Sequence, residues 1–103
     1  MRRGITSTVI FTLPNDVSVA DLADARVTVR QRDQIPINRT LSEMEVSLSD
    51  NALKLHLQQE ETLRLTDDYP AELQLKVKFI GGTVLATPIY RTSVRAILNE
   101  EVI

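Results

Sequence analysis

His56, the only histidine of the chain, stands between Lys54 and Gln58, so any catalytic triad or imidazole-bound metal must run through it. The alternation of Leu53, Leu55 and Leu57 turns it to the outward face of a strand, where no Asp or Glu is expected in register with it. Acidic residues come as the doublets Glu60-Glu61, Asp67-Asp68 and Glu100-Glu101. Paired carboxylates serve glycoside hydrolysis or hold Mg²⁺ or Ca²⁺. Adjacent residues, however, point in different directions, and a domain of this size has little room for a cleft. Asp67-Asp68, in a turn cluster, is the best placed of the doublets for Ca²⁺. Gly81-Gly82 lies between two strand-like runs, whereas a phosphate loop joins a strand to a helix and is followed by Lys and Ser or Thr. Ser42, Ser47 and Ser49 have no context that activates a nucleophile. These residues assign no catalytic, cofactor-binding or metal-ligating set, and a non-enzymatic protein is expected.

The chain that must carry them has 103 residues, enough for one core and one domain over 1–103. Hydrophobic residues make up 43%, too many for a disordered chain, yet aromatic residues are only 4% and tryptophan is absent. The core must therefore be built from Val, Leu and Ile. Few aromatic faces are left for stacking on sugars or single-stranded nucleic acid. A net charge of −2 gives no general attraction to nucleic acid or anionic membranes. The absence of cysteine removes disulfides, thiolate catalysis and Cys-based metal sites. Met1-Arg2-Arg3-Gly4 has the charge of a signal peptide's first region, but Thr6, Ser7, Thr8 and Thr12 break up the apolar run that a signal peptide needs next. Synthesis in the cytoplasm without a signal peptide is the expectation, with no membrane association.

Period two dominates the pattern. Val9, Phe11 and Leu13 alternate up to the turn Pro14-Asn15-Asp16. Residues 17–25 suggest a loop with one helical turn capped by Ser18, with Asp21 at the capping-box spacing. Strands are expected at 26–32, at 35–41 (on an edge, because Pro36 cannot donate to a ladder), at 44–49 with Met44, Val46 and Leu48 inward, and at 53–58. A short helical turn follows near 59–65, then the regular alternation of 71–80 and a long last strand from 83. The expectation is an all-β fold: a seven-strand antiparallel sandwich of immunoglobulin-like type. In such folds a tyrosine near the corner before the penultimate strand bonds back to main chain, and Tyr69 is the candidate.

Two surfaces stand out. A two-residue Gly81-Gly82 loop would place Ile80, Leu85 and Ile89 on the outer face of the last hairpin, an apolar patch for a protein partner or for self-association, with Ile89 returning to the core if Pro88 introduces a bulge. If 26–32 pairs with 53–58, Arg26, Arg30, Lys54 and His56 form a weaker basic patch. Without interleaved aromatics it is better read as a solvated face than as a nucleic-acid site.

The motifs Met1-Arg2-Arg3-Gly4 with Thr6 and Thr8, Phe11-Thr12-Leu13-Pro14 with Asp16-Val17, Gln59-Glu60-Glu61-Thr62-Leu63 and Ala86-Thr87-Pro88-Ile89 resemble a group of small prophage proteins of Gram-positive gut bacteria, from tail or baseplate gene neighbourhoods. The chain departs from that group between residues 19 and 40. The resemblance carries no active-site residues. It implies a phage-derived structural or interaction module acting through protein–protein contacts, with incorporation in a phage particle as a corollary. The alternative from the residues themselves is a carbohydrate- or divalent-ion-binding sandwich. Small-molecule ligands and cofactors are not expected.

Overall fold

Alternating Val, Leu and Ile with turn residues between them leave the backbone little choice but extended pairing. A computed structural model describes residues 1–103. The strands are β1 (Ser7–Thr12), β2 (Leu22–Gln31), β3 (Gln34–Thr40), β4 (Glu45–Ser47), β5 (Ala52–Leu57), β6 (Ala71–Phe79), β7 (Val84–Ala86) and β8 (Tyr90–Thr92), with one helical turn, α1 (Gln59–Thr62), between β5 and β6. They form two antiparallel sheets, β1-β5-β4 and β3-β2-β6-β7, with β8 also pairing to β6. No helix is long and apolar enough to cross a membrane.

This strand order follows the immunoglobulin-like plan from its second strand onward: B-E-D in one sheet and C′-C-F-G in the other. The first strand of that plan is not paired to β1. One expected pairing is corrected as a result. The segment at 26–32 belongs to β2, whose partners are β3 and β6, while β5 pairs with β1 and β4 in the other sheet. A chain that enters the plan at its second strand shifts every later strand by one position.

Seventeen buried residues form the core between the sheets, including Val27 and Val29 of β2, Leu53, Leu55 and Leu57 of β5, and Leu73, Leu75 and Val77 of β6. Phe11 and Phe79 are the core's aromatic members, as a Val/Leu/Ile-built interior requires. Ser18 caps the 3₁₀ turn Val19–Asp21 by accepting from the Ala20 N–H at 3.2 Å. β2 then starts at Leu22, within the stretch expected to be loop. The long last strand is divided instead, because Thr87-Pro88-Ile89 separates β7 from β8. Val46 lies opposite buried Leu53 but is partly exposed at the sheet edge, and Leu48 is exposed in the turn rather than inward.

Polar side chains tie the loops to this frame. Gln31 is buried, and its amide donates to the carbonyls of Thr66 (2.7 Å) and Tyr69 (2.8 Å) while accepting from the Thr66 N–H (2.8 Å). That clamp closes the corner before β6, and Tyr69 does not. Its hydroxyl accepts from Arg32 at 3.0 Å, its ring lies 4.4 Å under that guanidinium, and no main-chain bond is made. Pro70 follows directly, and the chain bends through residues 67–69 before β6. Glu61 of α1 is buried, pairs with Arg39 of β3 and accepts from the Gln58 N–H at 3.0 Å, so one carboxylate both caps the turn and ties it to β3.

Candidate contact surface

The expected basic patch is not assembled. Arg26 and Arg30 lie on β2 and Lys54 and His56 on β5, in different sheets. Each is engaged locally: Arg26 with Asp24, Arg30 with Glu72 at 2.9 Å, and Lys54 with Asp50 at 3.6 Å and Glu45 at 3.8 Å. His56 does have an acidic neighbour. Glu45 of β4 brings Oε2 to 3.7 Å from Nε2, and Nδ1 lies 3.0 Å from the Thr8 hydroxyl. Glu45 is on the next strand, beyond the run from which His56's surroundings were read.

The carboxylates of Asp24, Glu43 and Glu72 are held below their ordinary range. The causes are the Arg26 hydrogen bond for Asp24, the Thr40 backbone N–H for Glu43 and the Arg30 hydrogen bond for Glu72, where Arg91 adds to it. All three are ionised acceptors fixed to structure, which is the reverse of a general acid's need for a raised pKa. No group of three or more His, Asp or Glu side chains is placed to hold a metal ion, and Asp67 and Asp68 are exposed in their loop.

Ile80, Leu85 and Ile89 are all exposed, at 73%, 44% and 50%, but they do not form one stripe. The hairpin loop has three residues, Ile80-Gly81-Gly82, because Phe79 donates to the Thr83 carbonyl at 2.9 Å and Gly82 to the Phe79 carbonyl at 2.8 Å. Gly82 takes the positive φ of +95° that such a loop needs at its last position. One extra loop residue shifts the register by one and exchanges the faces. Leu85 therefore lies opposite Val77, on the inner face of β7. Ile80 sits at the hairpin tip, its N–H bonded to the Asp21 carbonyl at 2.8 Å. Ile89 reaches the outer face beside Ile35, Thr28 and Arg30.

A different surface emerges where the sandwich is open. Between β1 and β8 lies a hollow of about 470 Å³, lined by every residue of β1 together with Met1, Leu73, Thr87, Tyr90 and Thr92. A second hollow of about 250 Å³ continues from Tyr90 past Leu85 to Leu13 and Pro14. No charged side chain lines either one. At the upper end Met1–Arg3 runs parallel to Ser93–Arg95, with Arg3 N–H donating to the Arg95 carbonyl at 3.0 Å and Arg95 N–H to the Met1 carbonyl at 2.8 Å. That short pairing occupies one end of the place where the plan's first strand would run. Beyond it, β1 has no strand on that side.

β1 itself is an unprotected edge. Exposed strand edges are ordinarily blunted by charge, proline, a bulge or shortness. β3 carries Pro36 and Arg39, β4 has three residues and Glu45, and β7 and β8 have three residues each on either side of Pro88. β1 has six residues, Ser-Thr-Val-Ile-Phe-Thr, in unbroken register with β5 and with none of these devices. Leu13 N–H donates to the Asn51 carbonyl at 2.9 Å, which extends the register and turns odd-numbered residues toward β5. By alternation the N–H and C=O groups of Thr8, Ile10 and Thr12 face the open edge. Alternation in the sequence marks β1 as a strand but not as an edge. The available signal is a six-residue strand without a charged residue in a chain that is 25% charged. No protein-family model matches the chain, and no curated protein matches it.

Proposed function

We propose that this domain is a non-catalytic interaction module that takes its place in a larger assembly through the open side of the sandwich. The observation that carries the reading is the uncharged β1 edge beside a hollow that no charged side chain lines. Main-chain groups left unpaired along a strand are a template for another strand, and the flanking apolar surface adds affinity without demanding a particular charge. The resemblance of the chain's motifs to prophage tail-neighbourhood proteins supports a phage-type assembly as the setting.

The test is co-expression with the products of the adjacent genes, followed by co-purification. Ile10 is 57% exposed on the outer face, so Ile10→Lys leaves the core untouched. It places a charge on the edge, as protected edges do. The expected result is a folded variant that loses its neighbour. Undiminished co-purification of Ile10→Lys, or no co-purifying neighbour for wild type, contradicts the reading.

A further inference from the structure

We propose that a second copy of this chain pairs with the first through β1, antiparallel about a two-fold axis that lies midway between Ile10 and its copy. The proposal rests on the interaction-module reading and names one partner for its edge. β1 is the only edge strand that combines full length with the absence of charge, proline and bulge. The unprotected edge available to meet it on an identical molecule is therefore β1 again, an isologous contact.

The sequence of β1 is suited to that contact. Residues opposite each other in an antiparallel pair lie on the same face, so a two-fold axis normal to the sheet must set one residue opposite its own copy and lie midway between them. Centring the pairing on Ile10 sets Ile10 against its copy, Thr8 against Thr12, and Val9 against Phe11. Each is a favoured cross-strand combination: branched with branched, threonine with threonine, aromatic with β-branched. The same register uses the free N–H and C=O groups of Thr8, Ile10 and Thr12 reciprocally. No like charges meet, because β1 has no charge. An interface built on one short strand is smaller than the about 1,200 Å² of standard stable complexes, so association in the micromolar range is expected.

The test exploits a chain that contains no cysteine. Hydrogen-bonded partners in an antiparallel pair have Cα atoms about 5.5 Å apart, within disulfide reach. Under mild oxidation Ile10→Cys should form a covalent dimer. Thr8→Cys alone should not, whereas a mixture of Thr8→Cys with Thr12→Cys should. Sedimentation equilibrium of wild type between about 1 µM and 1 mM should show monomer passing to dimer, and Ile10→Lys should remain monomeric. A wild type that stays monomeric throughout, or Thr8→Cys that cross-links with itself as readily as Ile10→Cys, overturns the proposal. A monomeric wild type that still co-purifies with a neighbour overturns self-pairing and leaves the interaction module standing. A dimer that binds no neighbour does the opposite.

Discussion

Leu55→Ala lowers the unfolding free energy by about 3 kcal/mol, read as a reduced urea midpoint with an unchanged slope. Leu55 is 1% exposed and lies opposite Val9 on β5, the strand that holds β1 and β4 together. Its neighbours on β5, Leu53 and Leu57, are equally buried, and the facing sheet contributes Val27, Val29 and Leu75. The two facing valines have few rotamers through which to fill the space. Most of the cavity left by the missing isobutyl group therefore persists, and with it the lost dispersion contacts. For a domain of this length the melting temperature should fall by roughly 12–24 °C. The contrast with Ile10→Ala sharpens the test. Ile10 is on the adjacent strand but faces outward, so its truncation should stay within about 1 kcal/mol. Comparable losses at both sites would mean that β1 is registered one residue away and that Ile10 belongs to the core.

Asn51→Ala is expected to cost about 2–3 kcal/mol, the sum of lost hydrogen bonds and a backbone conformation that alanine resists. Asn51 sits in the turn before β5 at φ +51°. Its side-chain carbonyl accepts from the Val19 N–H at 2.8 Å, and its amide donates to the carbonyls of Val17 at 2.9 Å and Pro14 at 3.2 Å. Its own carbonyl accepts from the Leu13 N–H. One residue thus secures the segment from Leu13 to Val19, which forms the lower end of the open side. Asn51→Gly separates the two contributions, since glycine accepts the positive φ but supplies no amide. It should recover about 1 kcal/mol relative to alanine in the same denaturation measurement. If Gly and Ala variants are equally stable, the positive φ contributes nothing and the hydrogen bonds carry the whole effect.

The all-β sandwich was legible because its strands alternate cleanly and their turns carry Asn, Asp, Gly and Pro. The helical turn after β5 and the Ser18-capped turn were legible for the same local reasons. What depended on long-range pairing was not. The alternation at Arg26–Arg30 gives β2 an inward and an outward face but not its sheet, so a basic patch with Lys54 and His56 was a reasonable inference from a strand count that begins one strand too early in the plan. The hairpin loop shows how little separates two surfaces: Ile80 joining Gly81-Gly82 in the loop moves Leu85 from the outer to the inner face. Asn51 and Gln31 have no sequence signature for their clamps, because their partners are backbone groups more than thirty residues away. The open side is marked only by the absence of charge from β1, since a strand that lacks a neighbour has the same alternation as one that has two.

The claim that this domain works through the free edge of β1 predicts the behaviour of single amide protons. In dilute solution the N–H groups of Val9 and Phe11, turned toward β5, should be protected from hydrogen exchange, and those of Thr8, Ile10 and Thr12 should exchange as open groups. Residue-resolved exchange followed by nuclear magnetic resonance, first dilute and then in the associated state, reads both sets in one experiment. The account predicts that Thr8, Ile10 and Thr12 become protected on association while Val9 and Phe11 change little. Thr8, Ile10 and Thr12 already protected when dilute, or still exchanging freely in the assembly, would contradict it.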